Sequence, residues 1–393
     1  MALPFAVFGF GVKRKFVGLA FVVLVLHAAS AQDSVDPGVS RLTSERIANP
    51  GWWPTKGAAG RAEYAGTAAC AKCHADIVER QAQTPMFKAA RRPEDASVLQ
   101  QHQDLQFTEG DFSYAITRRN DQTVLVIQDK WGTLTAPVLW AIGNGEIGQT
   151  YLLKKDDTYY ESRLSYFTAS ADLDVTPGHS SGLPTTLHDA VGMPQGDPTA
   201  QRCFGCHTTA SKVSGVFDPE QAIPGIGCEA CHGPSAKHVE AEEHENDKAP
   251  PPFNPRTLTP RDSVDFCGAC HRTPADIAVE MPENPGILGI RFPAYRLERS
   301  LCWGVSGDAR ITCIACHDPH QPLVKDTASY DSKCLQCHAA KGHRANASQA
   351  AACTVASENC ASCHMPKYEL KIAHTTLTDH FIQIVRPGSG YRD

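Results

Sequence analysis

Seven times in this chain a Cys-x-x-Cys pair is followed at once by His: Cys70/Cys73/His74, Cys203/Cys206/His207, Cys228/Cys231/His232, Cys267/Cys270/His271, Cys313/Cys316/His317, Cys334/Cys337/His338 and Cys360/Cys363/His364. This pentapeptide is the attachment site of c-type haem. The two thiols add to the haem vinyl groups, and the adjoining imidazole reaches the iron as proximal ligand. Zinc knuckles, the competing reading, need the cysteine pairs but no His after the second Cys. With only 17 His in 393 residues, chance does not place seven of them there. The expected cofactor is covalently attached haem c, seven per chain.

A second axial ligand must come from elsewhere. Leaving aside His27, nine His lie outside the motifs: His102, His179, His188, His238, His244, His320, His343, His374 and His380. Bis-His ligation lowers the haem potential relative to His/Met and fills the coordination sphere, which favours electron transfer over substrate binding. His244, inside an acidic run, and His102, in a Gln-rich stretch, read as surface residues. His179 and His188, flanking Gly182-Leu183-Pro184 just before the second motif, are expected to supply one ligand or two, with His343 as a further candidate.

The elements that position these groups read as follows. Lys13-Arg14-Lys15, the apolar run Phe16 to Leu26 and Ala29-Ser30-Ala31 form a signal peptide cut after Ala31. The apolar run is short of the roughly 20 residues a bilayer span needs. The mature chain is thus expected in the periplasm or outside the cell, with no integral membrane span. Residues 32–60 read as a linker, 61–105 as the first haem segment and 176–393 as a six-haem domain. Between them, over 106–175, alternating runs at Phe112–Ile116 and Val124–Ile127, then Thr150–Leu153 and Tyr159–Glu161, read as two β-hairpins. The expected fold is mostly α and irregular, packed around haems, with a small inserted antiparallel β-subdomain. With 27 Pro, 30 Gly and 8% aromatic residues, the chain is loop-rich, and buried haem faces must replace much of the side-chain core. A net charge of −6 with no Lys/Arg-rich face argues against a nucleic-acid partner. The gaps from His207 to Cys228, His317 to Cys334 and His338 to Cys360 are the shortest, so those haems must nearly touch.

Three segments resemble the multihaem superfamily that contains c-552/c-554-type cytochromes, hydroxylamine oxidoreductase and octahaem tetrathionate reductase. They are Gly225-Ile226-Gly227-Cys228-Glu229-Ala230-Cys231-His232-Gly233-Pro234 with His238 following, Cys313 to His317 with Asp318-Pro319-His320, and Cys360 to Lys367 with His374 and His380 following. The resemblance spans about residues 200–385 and implies that His238, His320, His374 and His380 are distal ligands, His238 and His320 each serving a haem other than the one beside it. Around the first haem the pattern departs from bis-His, because Thr84-Pro85-Met86 stands where a distal His often follows. Met86 is either a thioether ligand, which would raise that haem's potential, or a packing residue at the haem edge.

Cys302 and Cys353 lie outside the motifs. A disulfide between them is the preferred reading in an oxidising compartment, and two unrelated buried thiols are the alternative. Three functions remain: a heptahaem electron carrier between redox partner proteins, an oxidoreductase acting on nitrite, hydroxylamine or tetrathionate at one five-coordinate haem, and a redox sensor whose β-subdomain binds a partner. No motif carries the Cys-x-x-Cys-Lys variant of pentahaem nitrite reductase. No Tyr is recognisable as the cross-linking residue of hydroxylamine oxidoreductase either, with Tyr330, Tyr368 and Tyr391 left open by the sequence.

Overall fold

The computed structural model describes residues 59–213, 216–244, 251–300, 302–303, 311–338, 353, 355–386 and 388–393. The signal peptide and its cleavage site, nearly all of the 32–60 linker and His343 lie outside the described residues. The chain divides into Met1–Asp36 and Pro37–Asp393, and all that follows belongs to the second unit.

Both expected hairpins form, and each closes through a turn that its sequence specifies. Asn120 and Asp121 have φ of 46° and 63°, and Asp156 and Asp157 have 48° and 61°. Positive φ at two successive turn positions is the geometry whose twist matches paired strands, and Asn and Asp tolerate it. The first turn joins β3 (Phe112–Arg119) to β4 (Gln122–Gln128), with Tyr114 opposite Ile127 and Ile116 opposite Leu125. The second joins β6 (Gly148–Lys155) to β7 (Thr158–Phe167).

The sheet is larger than two hairpins. A meander runs through β2 (Asp104–Glu109), β3, β4, β5 (Thr133–Ile142), β6, β7 and β8 (Asp172–Val175), and two flanking strands join it. These are β1 (Ala90–Arg91), paired with β5, and β9 (Gly192–Gln195), paired with β7. The nine strands correct the expectation of a mostly helical and irregular chain with a small β insert. The sequence signal failed at β5, where Pro137 interrupts the run and a bulge follows between Val138 and Trp140. It failed at β9 because the strand is short and its pairing depends on Gly192. At φ 135° a Cβ there would sit 2.0 Å from the Glu161 carbonyl oxygen.

One face of the sheet buries Tyr114, Ile116, Leu125, Ile127, Tyr151, Leu153 and Leu164. The sheet curls until β7 reaches β2: Arg163 Nε and Nη2 donate to Glu109 Oε2 and Oε1, both at 2.6 Å, with both side chains nearly buried. A second cluster lies where Trp140 of β5 and Leu152 of β6 meet Phe204, inside the second haem motif. The Trp140 and Phe204 rings pack edge-on at 5.3 Å, and burying such side chains stabilises the contact by roughly 1.5–3 kcal/mol each. The sheet is thereby docked on the haem-binding part of the chain.

Candidate haem-binding site

Each motif has its own short helix: α1 (Thr67–Cys70), α2 (Asp197–His207), α3 (Cys228–His232), α4 (Pro260–His271), α5 (Cys313–Cys316), α6 (Asp331–His338) and α7 (Cys360–His364). In the shortest two, the last turn is closed by His74 N–H to the Cys70 carbonyl and His317 N–H to the Cys313 carbonyl, both at 2.9 Å. A helical turn holds the two thiols and the imidazole as one unit, which is what the motif requires.

The helices meet in pairs, two of which skip a motif in the sequence. The Cys70 thiol of α1 contacts the Cys228 thiol of α3, Cys267 of α4 contacts Cys313 of α5, and Cys334 of α6 contacts Cys360 of α7. Between α2 and α4, the Cys206 thiol lies 3.7 Å from the Ala269 carbonyl oxygen and Cys270 lies 3.9 Å from that of Gly205. These sulfurs are the ones that would carry the thioether links. The α1/α3 approach depends on Gly225 at φ 68°, where a Cβ would stand 1.9 Å from the Phe87 carbonyl oxygen.

The fourteen motif cysteines, alike in the sequence, are not alike in the structure. Cys73 and Cys363 are exposed and stand outside these sulfur contacts, so the structure does not gather them with the other attachment thiols. Cys73 follows the end of α1, its amide donating to the Cys70 carbonyl at 3.3 Å. Cys363 lies in the last turn of α7, its sulfur 3.9 Å from Ser362 Oγ. In both motifs the first cysteine meets a neighbouring helix, Cys70 at Cys228 and Cys360 at Cys334, while the second is exposed. Cys316 and Cys337 are exposed as well, but each lies beside Cys302.

Five of the seven candidate proximal histidines have surroundings that suit a metal ligand. Nδ1 of His207 donates to the Ala89 carbonyl at 3.1 Å, that of His232 to Phe253 at 2.8 Å and that of His364 to Gln383 at 2.8 Å. A carbonyl only accepts, so Nδ1 carries the proton and Nε2 keeps the lone pair that an iron would take. Burial lowers the pKa of His232, His271 and His317 below the ordinary imidazole value, which favours the neutral, ligating form.

Two distal candidates face proximal histidines across a gap of the right width. The rings of His232 and His320 have centroids 6.1 Å apart and planes within 10° of each other. Those of His317 and His380 are 6.2 Å apart at 48°. Two imidazole nitrogens at about 2 Å on opposite sides of one ion put the ring centroids about 6 Å apart. Burial pushes His380 down to about 4, and its Nδ1 donates to the Thr378 carbonyl at 3.2 Å. Nδ1 of His320 lies 3.3 Å from Asp318 Oδ1. The residues present therefore fit haem. Among the described residues no group of three or more His, Cys, Asp or Glu is arranged to hold a metal ion.

The other candidates are placed differently. His238 lies on the helix Ala236–Glu243, with Nδ1 3.8 Å from Glu242 Oε1. The Nε2 atoms of His179, His188 and His374 bond to Glu161 (3.3 Å), Tyr160 Oη (3.0 Å) and Asp174 (2.8 Å), all on the β-sheet. Met86 is half-buried, and its carbonyl accepts from the Ile226 amide at 2.9 Å, so it lies between the first and third motifs. The expected Cys302–Cys353 bridge is not formed, and both thiols are free. Cys302 lies beside Cys337, among the thiols of α5 and α6. Cys353 is exposed and accepts from the Ala356 amide within its own turn.

Sequence reasoning missed the carboxylates that join the helices. Glu229, inside the third motif, accepts from the Ala65, Gly66 and Ser235 amides at 2.8, 2.9 and 2.9 Å. Asp331, at the start of α6, accepts from the Asn359 and Cys360 amides at 2.5 and 2.8 Å. These bonds, foremost that of Cys360, hold the Asp331 carboxyl below its ordinary value. An acidic residue between or just before haem cysteines was the available signal.

A family model described as "Cytochrome c554 and c-prime" matches residues 184–233, which contain the second and third motifs. The multiheme cytochrome MtrA of Shewanella baltica (strain OS185) is 23% identical over 193 residues, covering 46% of this chain and 47% of that protein. The chain thus spans about half the length of this curated relative. The crystal structure of outer cell wall cytochrome OcwA covers 83% of this chain and 80% of its own, at 15% identity and a TM-score of 0.48. Among the described residues no helix is long and apolar enough to cross a membrane. The seven motif helices, the family match and the curated relative support one assignment: the chain is a multihaem c-type cytochrome with covalently bound haem c.

Proposed function

We propose that this protein is an exported, soluble heptahaem cytochrome that carries electrons between redox partner proteins. The observation that carries this reading is the contact of motif helices in pairs, α1/α3, α2/α4, α4/α5 and α6/α7. Haem c supplies a one-electron couple, and attachment points this close keep each electron step short. The chain's own part is to fix these pairs and to fill the axial positions. His320 opposite His232 and His380 opposite His317 are the two pairs the geometry favours, with His238, His374, His179, His188, His343 and Met86 as the remaining donors. The hydrogen bonds now made by His179, His188 and His374 do not forbid ligation. A net hydrogen bond is worth about 1 kcal/mol, or up to about 3 when charged, comparable with one ligand's share, about 3–4 kcal/mol, of a four-ligand zinc site.

A second reading, an oxidoreductase with one open iron, is favoured by one observation. If those three histidines keep their partners on the sheet, fewer donors than irons remain. The test is to reduce the protein with dithionite and offer nitrite, hydroxylamine and tetrathionate in turn, then a ferric chelate. The carrier reoxidises with the chelate and turns over none of the three; sustained turnover of any one would replace the carrier reading with the enzyme.

A further inference from the structure

We propose that Glu229 and Asp331 are positioning residues for electron transfer: each is a carboxylate on one motif helix that binds the starting amides of another, fixing the first haem against the third and the sixth against the seventh. The inference rests on the multihaem reading above.

Four observations converge on this. First, α1 and α7 have no side-chain cap of their own: the residues at their starts, Gly66 and Asn359, make no capping bond, and both have positive φ. Helices of four and five residues do not hold together alone, so their orientation is set by whatever satisfies those amides. Second, the missing caps come from distant motif helices. Glu229 reaches Ala65 and Gly66 from 164 and 163 residues away, and Asp331 reaches Cys360 from 29. By contrast α4 is capped locally, its Asp262 amide donating to Thr259 Oγ1 at 3.2 Å.

Third, in both cases the capped and capping helices are the ones whose thiols touch, Cys70 with Cys228 and Cys334 with Cys360. The cap and the sulfur contact together leave the two helices little freedom to slide or rotate. Fourth, Glu229 is only 3% exposed, so its charge is poorly screened at the point where two haems would be held. A negative charge there stabilises the oxidised, more positive state of each iron. Glu229 thus sets both the spacing of its pair and its potential.

The experiment uses the full holoprotein with Glu229→Gln and Asp331→Asn. A neutral amide keeps the shape and one accepting oxygen but puts an N–H group in place of the other, so part of the cap and its charge are lost without a cavity. The expected result is full haem content, an upward shift in the midpoint potential of one haem pair, and loss of part of the Soret circular-dichroism couplet. The two variants should change different haems, and their effects should add in the double variant. Redox titrations and couplets unchanged in both variants would overturn the proposal, because a merely structural cap would cost stability without moving potentials.

If either variant fails to mature, amide hydrogen exchange on the unsubstituted protein decides. The amides of Ala65, Gly66, Asn359 and Cys360 should be strongly protected, and exchange as fast as in an exposed loop would refute the caps. A haem count below seven in the unsubstituted protein would instead undercut the heptahaem reading while leaving the exchange result meaningful.

Discussion

Arg296 meets Asp379 in a two-point ion pair, Nε to Oδ1 and Nη2 to Oδ2, both at 2.8 Å, with neither side chain exposed to solvent. The pair fixes the residue next to His380. Ser300, just beyond the helix Pro293–Glu298 that carries Arg296, donates to the His380 carbonyl at 3.0 Å and accepts from the Ile382 amide at 2.8 Å. Removing one partner of a buried pair strands the other charge and costs about 3–5 kcal/mol. The carbonyl of Arg392, 2.6 Å from Arg296 Nη2, offsets part of that. Asp379→Asn is therefore expected to lower the thermal midpoint and to turn one haem high spin as His380 loosens. A melt and an EPR spectrum check both, and no change in either would separate the ion pair from haem ligation.

The distal ligands can be removed one at a time. Ala in place of His320 or His380 is expected to convert one haem to high spin while the other six stay low spin, and the same holds for His238 and His374. A fully low-spin spectrum for His374→Ala would assign that residue to its contact with Asp174 and to the Phe167 ring, 4.5 Å away.

Met86 has its own signature. As a ligand, its replacement by His should keep the haem low spin but lower its midpoint potential, because imidazole stabilises ferric iron more than a thioether does. A spectroelectrochemical titration reads this directly. An unmoved potential would return Met86 to packing between the first and third motifs.

What the sequence showed, and what it hid, follows from the range of each interaction. Cys-x-x-Cys-His is a local device held within one helical turn, so all seven helices were legible from spacing alone. Which cysteine of a motif meets a neighbouring helix was not, because it depends on contacts with motifs elsewhere in the sequence, as for Cys70 with Cys228. The Asn120-Asp121 and Asp156-Asp157 turns were legible because the residues that tolerate positive φ sit between two apolar runs. His320 and His380 were suggested by resemblance, and the structure sets each opposite the half-buried imidazole of another motif. β9 was hidden because its partner is decided by a glycine meeting a carbonyl from another strand. The Cys302–Cys353 bridge failed because two odd cysteines carry no information about distance. Glu229 and Asp331 were overlooked since their partners are backbone amides far away in sequence, which no side-chain motif announces.

Low-temperature EPR of the oxidised protein, before and after adding nitrite, hydroxylamine or cyanide, tests the central claim most directly. A carrier gains by filling every axial position, since a filled coordination sphere changes little on reduction, whereas an enzyme of this kind must keep one position for its substrate. The account predicts low-spin ferric haem only, unaltered by any of the three ligands. A high-spin signal of about one haem per chain that disappears when a small ligand is added would contradict it.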